Sequence, residues 1–262
     1  MIDQNFFNII FVIPILNILL AFYKFFSILK IPGALGFSII GLTFLVNLIL
    51  LPLTKKQRLM TEKLNQLRPD LERLEKKYKN DKAKLQQEQL KLYSQAGVNP
   101  GMGCLLPFIQ FPFFIGLYNV LSLFLLDHKG VNVIENINKV IYFSFLKIEN
   151  IDTIFFGFNL SLSPQKSGVW YYLLIPIITG LLQYIQINLI TPKSVTSEKK
   201  ENTNKDEKKS EIEDFQKVMN MQMKFVMPIL IGWFAYTLPV GLALYWNMYS
   251  IFNIWQYKKK IN

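Results

Sequence analysis

Residues 41–57 read GLTFLVNLILLPLTKKQ. The first thirteen are apolar except for Thr43, Asn47 and the glycine at the start, and the basic residues Lys55 and Lys56 follow. A long apolar run that ends at clustered lysines is typical of a transmembrane helix that reaches a membrane surface. Thr43 and Asn47 are four residues apart, so they share one face of such a helix. The stretch therefore predicts a membrane-spanning helix with a polar stripe along one side.

The rest of the chain repeats this pattern of apolar blocks separated by charged segments. It has 262 residues, of which 51% are hydrophobic, and a net charge of +11. A soluble chain of this length would spread its apolar residues in periodic stripes rather than in blocks. We expect five spans, at about residues 37–53, 102–126, 170–190, 225–238 and 241–257. The predicted fold class is an all-α integral membrane protein with a five-transmembrane-helix core.

The polar segments next to these spans predict three further parts. Residues 55–99 have a leucine-rich helical seam and a stop at Gly97, which predicts a helical hairpin. Residues 127–169 form a mixed loop whose apolar patches are too short to cross a membrane, and residues 191–217 form a charged, flexible loop.

The apolar run at residues 6–28 precedes the core and is long enough to span. It could also lie in the membrane interface as an amphipathic helix, and we favour that interpretation. We therefore divide the chain into an outer-face segment, 1–32, and a core, 33–262. No Lys or Arg precedes this run, so the start of the sequence does not predict a secretory signal.

The distribution of charge predicts the topology. The hairpin, the charged loop extended to Lys224 and the C-terminal lysines carry 23 Lys and Arg residues, and the opposite side carries 6. The excess of cations marks the cytosolic side of a cell (plasma or inner) membrane. The N-terminus is then outside and the C-terminus is cytosolic. The cations also suit anionic lipid or RNA surfaces, whereas DNA is not an expected partner.

The composition argues against bound metals. One Cys and one His leave no intramolecular disulfide and make a His/Cys metal site improbable, so no cofactor is expected. No Lys, Arg, Asp or Glu falls inside the five expected spans, which argues against an ion-coupled transporter.

The polar residues within the spans are neutral and are spaced along helix faces. Each could be a hydrogen-bonding contact between helices, worth about 0.6 kcal/mol on average. Aligned stripes on several helices favour a hydrated cavity that opens to water on one side. The candidate cavity residues are Thr43, Asn47, Gln110, Thr179, Gln183, Gln186, Trp246, Asn247 and Ser250.

Five motifs occur in the order found in a known family. They are GLTFLVNLILLPLT (41–54), YSQAGVNPGMGCLLPFIQFP (93–112), LIPIITG (174–180), MQMKFVMP (221–228) and PVGLALYW (239–246). The sequence resembles the YidC/Oxa family of membrane-protein insertases from about Pro14 to Lys258.

This resemblance implies a five-helix core around a hydrophilic groove that is open to the cytosol and to lipid but closed on the outside. It implies an outer interfacial helix at 14–27 and a mobile cytosolic hairpin at 56–96 that receives substrates. The implied activity is assisted insertion of nascent membrane proteins, without covalent chemistry, so the protein is not expected to be an enzyme. The ribosome and a Sec-type translocon are further candidate partners, together with membrane lipids.

The sequence departs from the family at one groove position. The family commonly has Arg where this chain has Asn47, and that Arg is thought to attract acidic residues of the crossing tail. The predicted groove is therefore polar but uncharged. A small-solute transporter or channel is the alternative function, and a scaffold subunit is a third. A continuous pore would favour the first of these alternatives, whereas a groove closed on the outer side would favour the insertase.

Overall fold

The computed structural model describes residues 5–78, 81–98, 102–125, 133–190 and 222–259. The longer helices are α1 (Ile13–Ile28), α2 (Ala34–Gln66), α3 (Arg68–Lys77), α4 (Lys82–Gln95), α5 (Met102–Leu125), α8 (Leu174–Ile190), α9 (Met227–Thr237) and α10 (Val240–Lys259). Between α5 and α8 lie the short helices α6 (Val133–Asn138) and α7 (Pro164–Ser167) and the strands β1 (Ile154–Phe155) and β2 (Phe158–Asn159). The helical class is thus confirmed, with one two-stranded antiparallel hairpin added.

Within the described ranges, three helices are long and apolar enough to cross a membrane. They cover Asn8–Ile28, Ala34–Gln66 and Trp170–Leu189, whereas Phe111–Leu123 and Lys224–Thr237 are shorter apolar helices. Length and composition therefore do not distinguish the run at residues 6–28, which we expect in the interface, from a helix that crosses the membrane. The charged loop expected at 191–217 lies outside the described residues.

Helix α2 is longer than the expected span. It continues through Pro52 to Gln66 as one helix of 33 residues, so the span and the start of the hairpin share a single helix. A proline inside a helix removes one backbone hydrogen bond but does not end a helix that is held by tertiary packing. The hairpin then consists of the end of α2, α3 and α4, with Leu71 and Leu85 buried between its helices.

The middle of α1 is fixed to the loop between α5 and α8. The Asn17 side chain, only 4% exposed, donates to the carbonyl of Val140 at 3.2 Å and accepts from the backbone N–H of Tyr142 at 2.7 Å. The helical turn Asn8–Val12, just before α1, also packs against α5. Phe22 of α1 lies against Gly41 of α2. Helix α1 therefore covers the loop end of the helix bundle.

The β-hairpin packs on the first turn of α2. The ring of Phe155 lies against Gly33 and Gly36, where an added Cβ would overlap it, and it makes an edge contact with Phe37 at 5.2 Å. Gly33 also has φ +77°, a left-handed conformation that favours glycine.

The same loop covers the start of α10. The N–H groups of Val240 and Gly241 donate to the carbonyls of Leu162 and Leu160, each at 2.9 Å. These donors have no partner within their own helix, so the loop satisfies them. Only Leu238 and Pro239 separate α9 from α10, which gives the tight reversal expected from the sequence.

Candidate functional site

The stripe on α2 faces the interior of the protein. Thr43 is 0% and Asn47 is 3% exposed. The Thr43 hydroxyl donates to the carbonyl of Ile39 at 2.6 Å, and the Asn47 amide donates to the carbonyl of Thr43 at 2.8 Å. Both side chains are therefore satisfied in part by their own helix, which lets a polar residue sit inside an apolar bundle.

The buried polar face of α2 extends past residue 53, where the predicted span ends. Thr54, Arg58 and Thr61 are 3%, 9% and 7% exposed. They continue the face of Asn47 at steps of seven, four and three residues, close to whole helical turns. The sequence predicts a span that ends at Leu53, before the lysines, and so does not single these residues out. The same spacing, continued past Pro52, identifies them.

A second group of polar residues joins α8 and α10. The indole Nε1 of Trp246 donates to Gln183 Oε1 at 3.0 Å, and the Trp246 ring makes an edge contact with Phe114 of α5 at 5.2 Å. Trp246 thus links three helices. Thr179, one turn before Gln183, is 1% exposed and donates to the carbonyl of Ile175.

Three buried polar atoms lie immediately beyond this contact. Gln186 Oε1, Asn247 Oδ1 and Ser250 Oγ are buried and have no hydrogen-bond partner among the described residues. Helices α8 and α10 pack together, and both continue from the Gln183–Trp246 bond. At about 1.5 Å per residue, Gln186 lies roughly 4.5 Å past Gln183 and Ser250 roughly 6 Å past Trp246. The unpartnered atoms therefore occupy a similar level of the bundle.

Helix α10 lies between the two groups. It packs against both α2 and α8, and Phe252 contacts Phe44 of α2 with ring centroids 5.3 Å apart. The predicted residues of α2, α8 and α10 thus lie on α10 and on the two helices that pack against it. Gln110 belongs to α5, but its side chain lies outside the part of the chain that the structure describes. The described ranges hold no cluster of three or more His, Cys, Asp or Glu side chains suited to a metal ion.

Comparison with known sequences gives a match along almost the whole chain. The family model described as "60Kd inner membrane protein" matches residues 25–260. The chain belongs to this family. The family is the one that includes the YidC insertases, so the resemblance read from the five motifs is confirmed.

Named members of the 60Kd inner membrane protein family are similar at about 30% identity. Membrane protein insertase YidC of Oceanobacillus iheyensis is 31% identical over 227 residues, which cover 84% of this chain and 72% of that protein. Inner membrane ALBINO3-like protein 2, chloroplastic, of Chlamydomonas reinhardtii is 32% identical, covering 87% of this chain and 50% of that protein. For inner membrane protein ALBINO3, chloroplastic, of Arabidopsis thaliana the values are 29%, 84% and 45%. The chain thus spans about half the length of the chloroplast relatives.

The helical hairpin of this family member carries a separate, polar cleft. An open cavity of about 300 Å³ lies between α3 and α4. Its lining residues are Asp70, Arg73, Leu74, Lys77, Glu88, Lys91, Leu92 and Gln95. The Lys91 ammonium donates a hydrogen bond to the Glu88 carboxylate at 2.7 Å and holds the pKa of that carboxyl below its ordinary value. The cleft therefore presents both charge signs over two leucines.

Proposed function

We propose that this protein is a membrane insertase that helps nascent transmembrane segments enter the bilayer through a polar groove between α2, α5, α8 and α10. The groove is open to the cytosol and to lipid. Membership of the 60Kd inner membrane protein family and the similarity to a named insertase support this function. Such a protein breaks no covalent bond and so is not an enzyme. Its substrates are nascent membrane proteins.

The main support for the groove is a set of buried polar atoms without partners. Gln186, Asn247 and Ser250 each bury a polar atom that makes no hydrogen bond to a described residue. Leaving one such atom unsatisfied costs about 1–3 kcal/mol. Side chains that serve only to join helices would be paired with each other, as Gln183 and Trp246 are. Atoms left unpaired on adjacent helices instead suit a site where water or a polar segment of another chain binds.

The physical role of the groove is to shorten the path through hydrocarbon. A polar or charged tail that crosses a bilayer costs several kcal/mol for each unsatisfied group. Polar side chains and the water that they hold would satisfy the tail for part of the way. The apolar segment of the substrate would then move sideways into lipid, and its transfer from water would drive the net step.

The arrangement of the outer side supports a groove that ends before the outer surface. At that end the carbonyls of Leu160 and Leu162 bind the start of α10, and Asn17 joins α1 to the same loop. We infer that α1 lies in the outer interface, because Asn17 binds the loop between α5 and α8 and Phe22 packs against Gly41 in the first part of α2. The N-terminus is then outside and the C-terminus cytosolic, with spans in the core 33–262.

The basic hairpin would be the cytosolic element that first meets the substrate. Its cleft of about 300 Å³ has leucines at its base and charges around them, which suits an amphipathic segment. Its cations also suit ribosomal RNA and anionic lipid, and a Sec-type translocon is a further candidate partner. Contacts that depend on these cations should weaken as salt rises.

The test is site-specific photocrosslinking to a ribosome-stalled nascent membrane protein. The probe replaces Asn47, Gln110 or Trp246, and Phe156 at the exposed tip of the β-hairpin is the control position. We expect crosslinks from the three groove positions and none from the control. Equal crosslinking from all four positions, or none from any groove position, would contradict the proposed groove.

A further inference from the structure

The turn of the β-hairpin holds a phenylalanine in an unusual backbone conformation. Phe156 and Gly157 join β1 to β2, with φ angles of +47° and +83°. A two-residue turn with two positive φ angles is most often Asn-Gly, because a bulky side chain disfavours the left-handed region. Phe156 is nevertheless the first residue of this turn, and it is 79% exposed. The demands of the turn therefore do not account for a phenylalanine at its tip.

The ring of Phe156 belongs to a row of four aromatic rings that runs from the hairpin to α1, here called the aromatic row. Its centroid lies 6.1 Å from that of Phe37, in the first turn of α2. The Phe37 ring lies 5.7 Å from Phe26 of α1, and the Phe26 ring lies 5.2 Å from Phe25. Phe25 is 56% exposed, and Ile28, three residues further along α1, is 76% exposed. The tip of the hairpin thus continues an exposed apolar surface that three elements share.

The length of α2 relates the aromatic row to the membrane. Phe37 and Lys55, the first basic residue of α2, are 18 residues apart in sequence. At about 1.5 Å per residue the two lie roughly 27 Å apart along the helix, and the hydrocarbon core of a bilayer is about 30 Å thick. Since Lys55 belongs among the headgroups of one surface, Phe37 lies close to the edge of the hydrocarbon at the other surface. The Phe156 ring beside it is therefore level with that edge.

We propose that the Phe156 tip is a membrane anchor, which enters the headgroup region of the bilayer and rests its ring on the ends of the acyl chains. The proposed topology places this surface on the outer side. Lipid would remove the exposed ring from water, and this gain would offset the unfavourable backbone conformation of the turn. Residues 154–158 carry no charged side chain, so the attraction is apolar and does not need an anionic headgroup.

The neighbours of the aromatic row favour lipid over a protein as its occupant. The row continues onto α1 and α2, and both helices are apolar enough to lie in a membrane. A surface that extends from such helices without a break meets the same lipid that surrounds them. The anchor is an addition to the proposed insertase function, because it lies on the hairpin rather than on the helices that carry the polar groove.

The experiment measures the depth of the tip by tryptophan fluorescence of the purified full chain in phosphatidylcholine vesicles. Phe156→Trp replaces one exposed ring by another at the tip. Gln165→Trp is the matched control, because Gln165 is an exposed polar residue of α7 in the same loop. The parent chain has four Trp residues, so each added indole is measured as the difference from the parent. The quencher is phosphatidylcholine brominated near the headgroup end of its acyl chains.

We expect the brominated lipid to quench about half of the emission added by Phe156→Trp, because an anchor at the headgroup boundary lies within a few ångströms of the bromines. The emission added by Gln165→Trp should change little, and phosphatidylglycerol should alter neither result. Phe156→Asn should unfold in detergent micelles at the parent temperature or above, because Asn suits a turn with positive φ.

Four results would overturn the anchor. Absence of quenching at position 156 would place the tip in water, and equal quenching at positions 156 and 165 would show that the tip has no special contact. Quenching that requires phosphatidylglycerol would assign the contact to charge. A clear loss of thermal stability in Phe156→Asn would mean that the ring serves to pack against Phe37. The assay contains no substrate, so each of these results would leave the proposed insertase function standing.

Discussion

At the scale of single residues, Asn47 shows how a polar side chain is accommodated in an apolar helix bundle. Its amide N–H bonds to the carbonyl of Thr43 at 2.8 Å, so the helix carries part of its hydrogen-bonding need. The amide still supplies polarity to a buried face that contains Thr54 and Arg58 further along. A leucine at the same position would fit the helix but would remove that polarity.

The first prediction concerns this residue. Asn47→Leu should lower insertion of a model substrate about fivefold, because it removes one polar group worth about 1 kcal/mol from the groove. Asn47→Arg should be tolerated, since it keeps the position polar. The measurement is growth of cells depleted of their own insertase and complemented by each variant. Wild-type growth with Asn47→Leu would show that this amide has no role in the groove.

The second prediction concerns the pair Gln183 and Trp246. Gln183→Leu leaves the partly buried indole N–H without its acceptor and should destabilise the protein by about 1 kcal/mol. Trp246→Phe loses the bond but keeps a ring against Phe114, and the double variant should be more stable than the two single effects predict. Thermal unfolding in detergent micelles measures all three. Strictly additive effects would mean that the bond contributes nothing.

At the scale of elements, the loop between α5 and α8 is an integral part of the fold. It binds α1 through Asn17, packs Phe155 against the glycines that begin α2, and satisfies the first N–H groups of α10. These contacts join elements that are distant in sequence, and they cover the end of the bundle at which α2 and α10 begin.

The third prediction tests that role. Asn17→Leu leaves the N–H of Tyr142 and the carbonyl of Val140 without their side-chain partner, so it should destabilise the protein by about 1–3 kcal/mol. It should also make the loop more sensitive to protease added from the outer side. Tyr142→Ala is the matched control, because it removes an exposed ring and keeps the backbone N–H that Asn17 accepts. Equal protease sensitivity of the two variants would contradict the role of Asn17.

Apolar blocks and turn residues predict the helices well, but the ends and partners of helices depend on contacts that the sequence does not reveal. Gly97 follows the end of α4 closely, with φ +62° in the left-handed region. By contrast, Pro52 does not end α2, because packing on both sides of it holds the helix together.

The candidate site shows the same limit. The spacing of Thr43 and Asn47 predicts that they share one helix face, and both are buried, as is Thr179. Helical periodicity does not predict that Gln183 bonds to Trp246 while Gln186 has no described partner. These contacts depend on how α8 packs against α10. Arg58 was overlooked because a basic residue beside lysines reads as part of a solvated segment.

At the scale of the whole molecule, the distribution of Lys and Arg and the covered end of the helix bundle support the same topology. Of the 29 Lys and Arg residues, 23 belong to segments that the sequence predicts on the side of the hairpin and the C-terminus. The positive-inside rule predicts that this side is cytosolic. The loop between α5 and α8 covers the other end, where α10 begins.

The fourth prediction tests this topology: an epitope at the N-terminus should be digested by protease added to intact spheroplasts, whereas one after the last residue should be protected. The reverse pattern would invert the proposed topology.

The central claim is that the buried polar residues line a groove that water reaches from the cytosol alone. The most direct test is thiol labelling in a Cys104→Ser background, because Cys104 is the only cysteine of the chain. Single variants Asn47→Cys, Ser250→Cys and, as the outer control, Phe156→Cys are treated with a small, membrane-impermeant methanethiosulfonate from one side at a time. We predict that the first two react only from the cytosolic side and Phe156→Cys only from the outer side. Reaction of the first two from both sides would indicate a channel, and no reaction from either side would indicate dry contacts between helices; both results would contradict the groove.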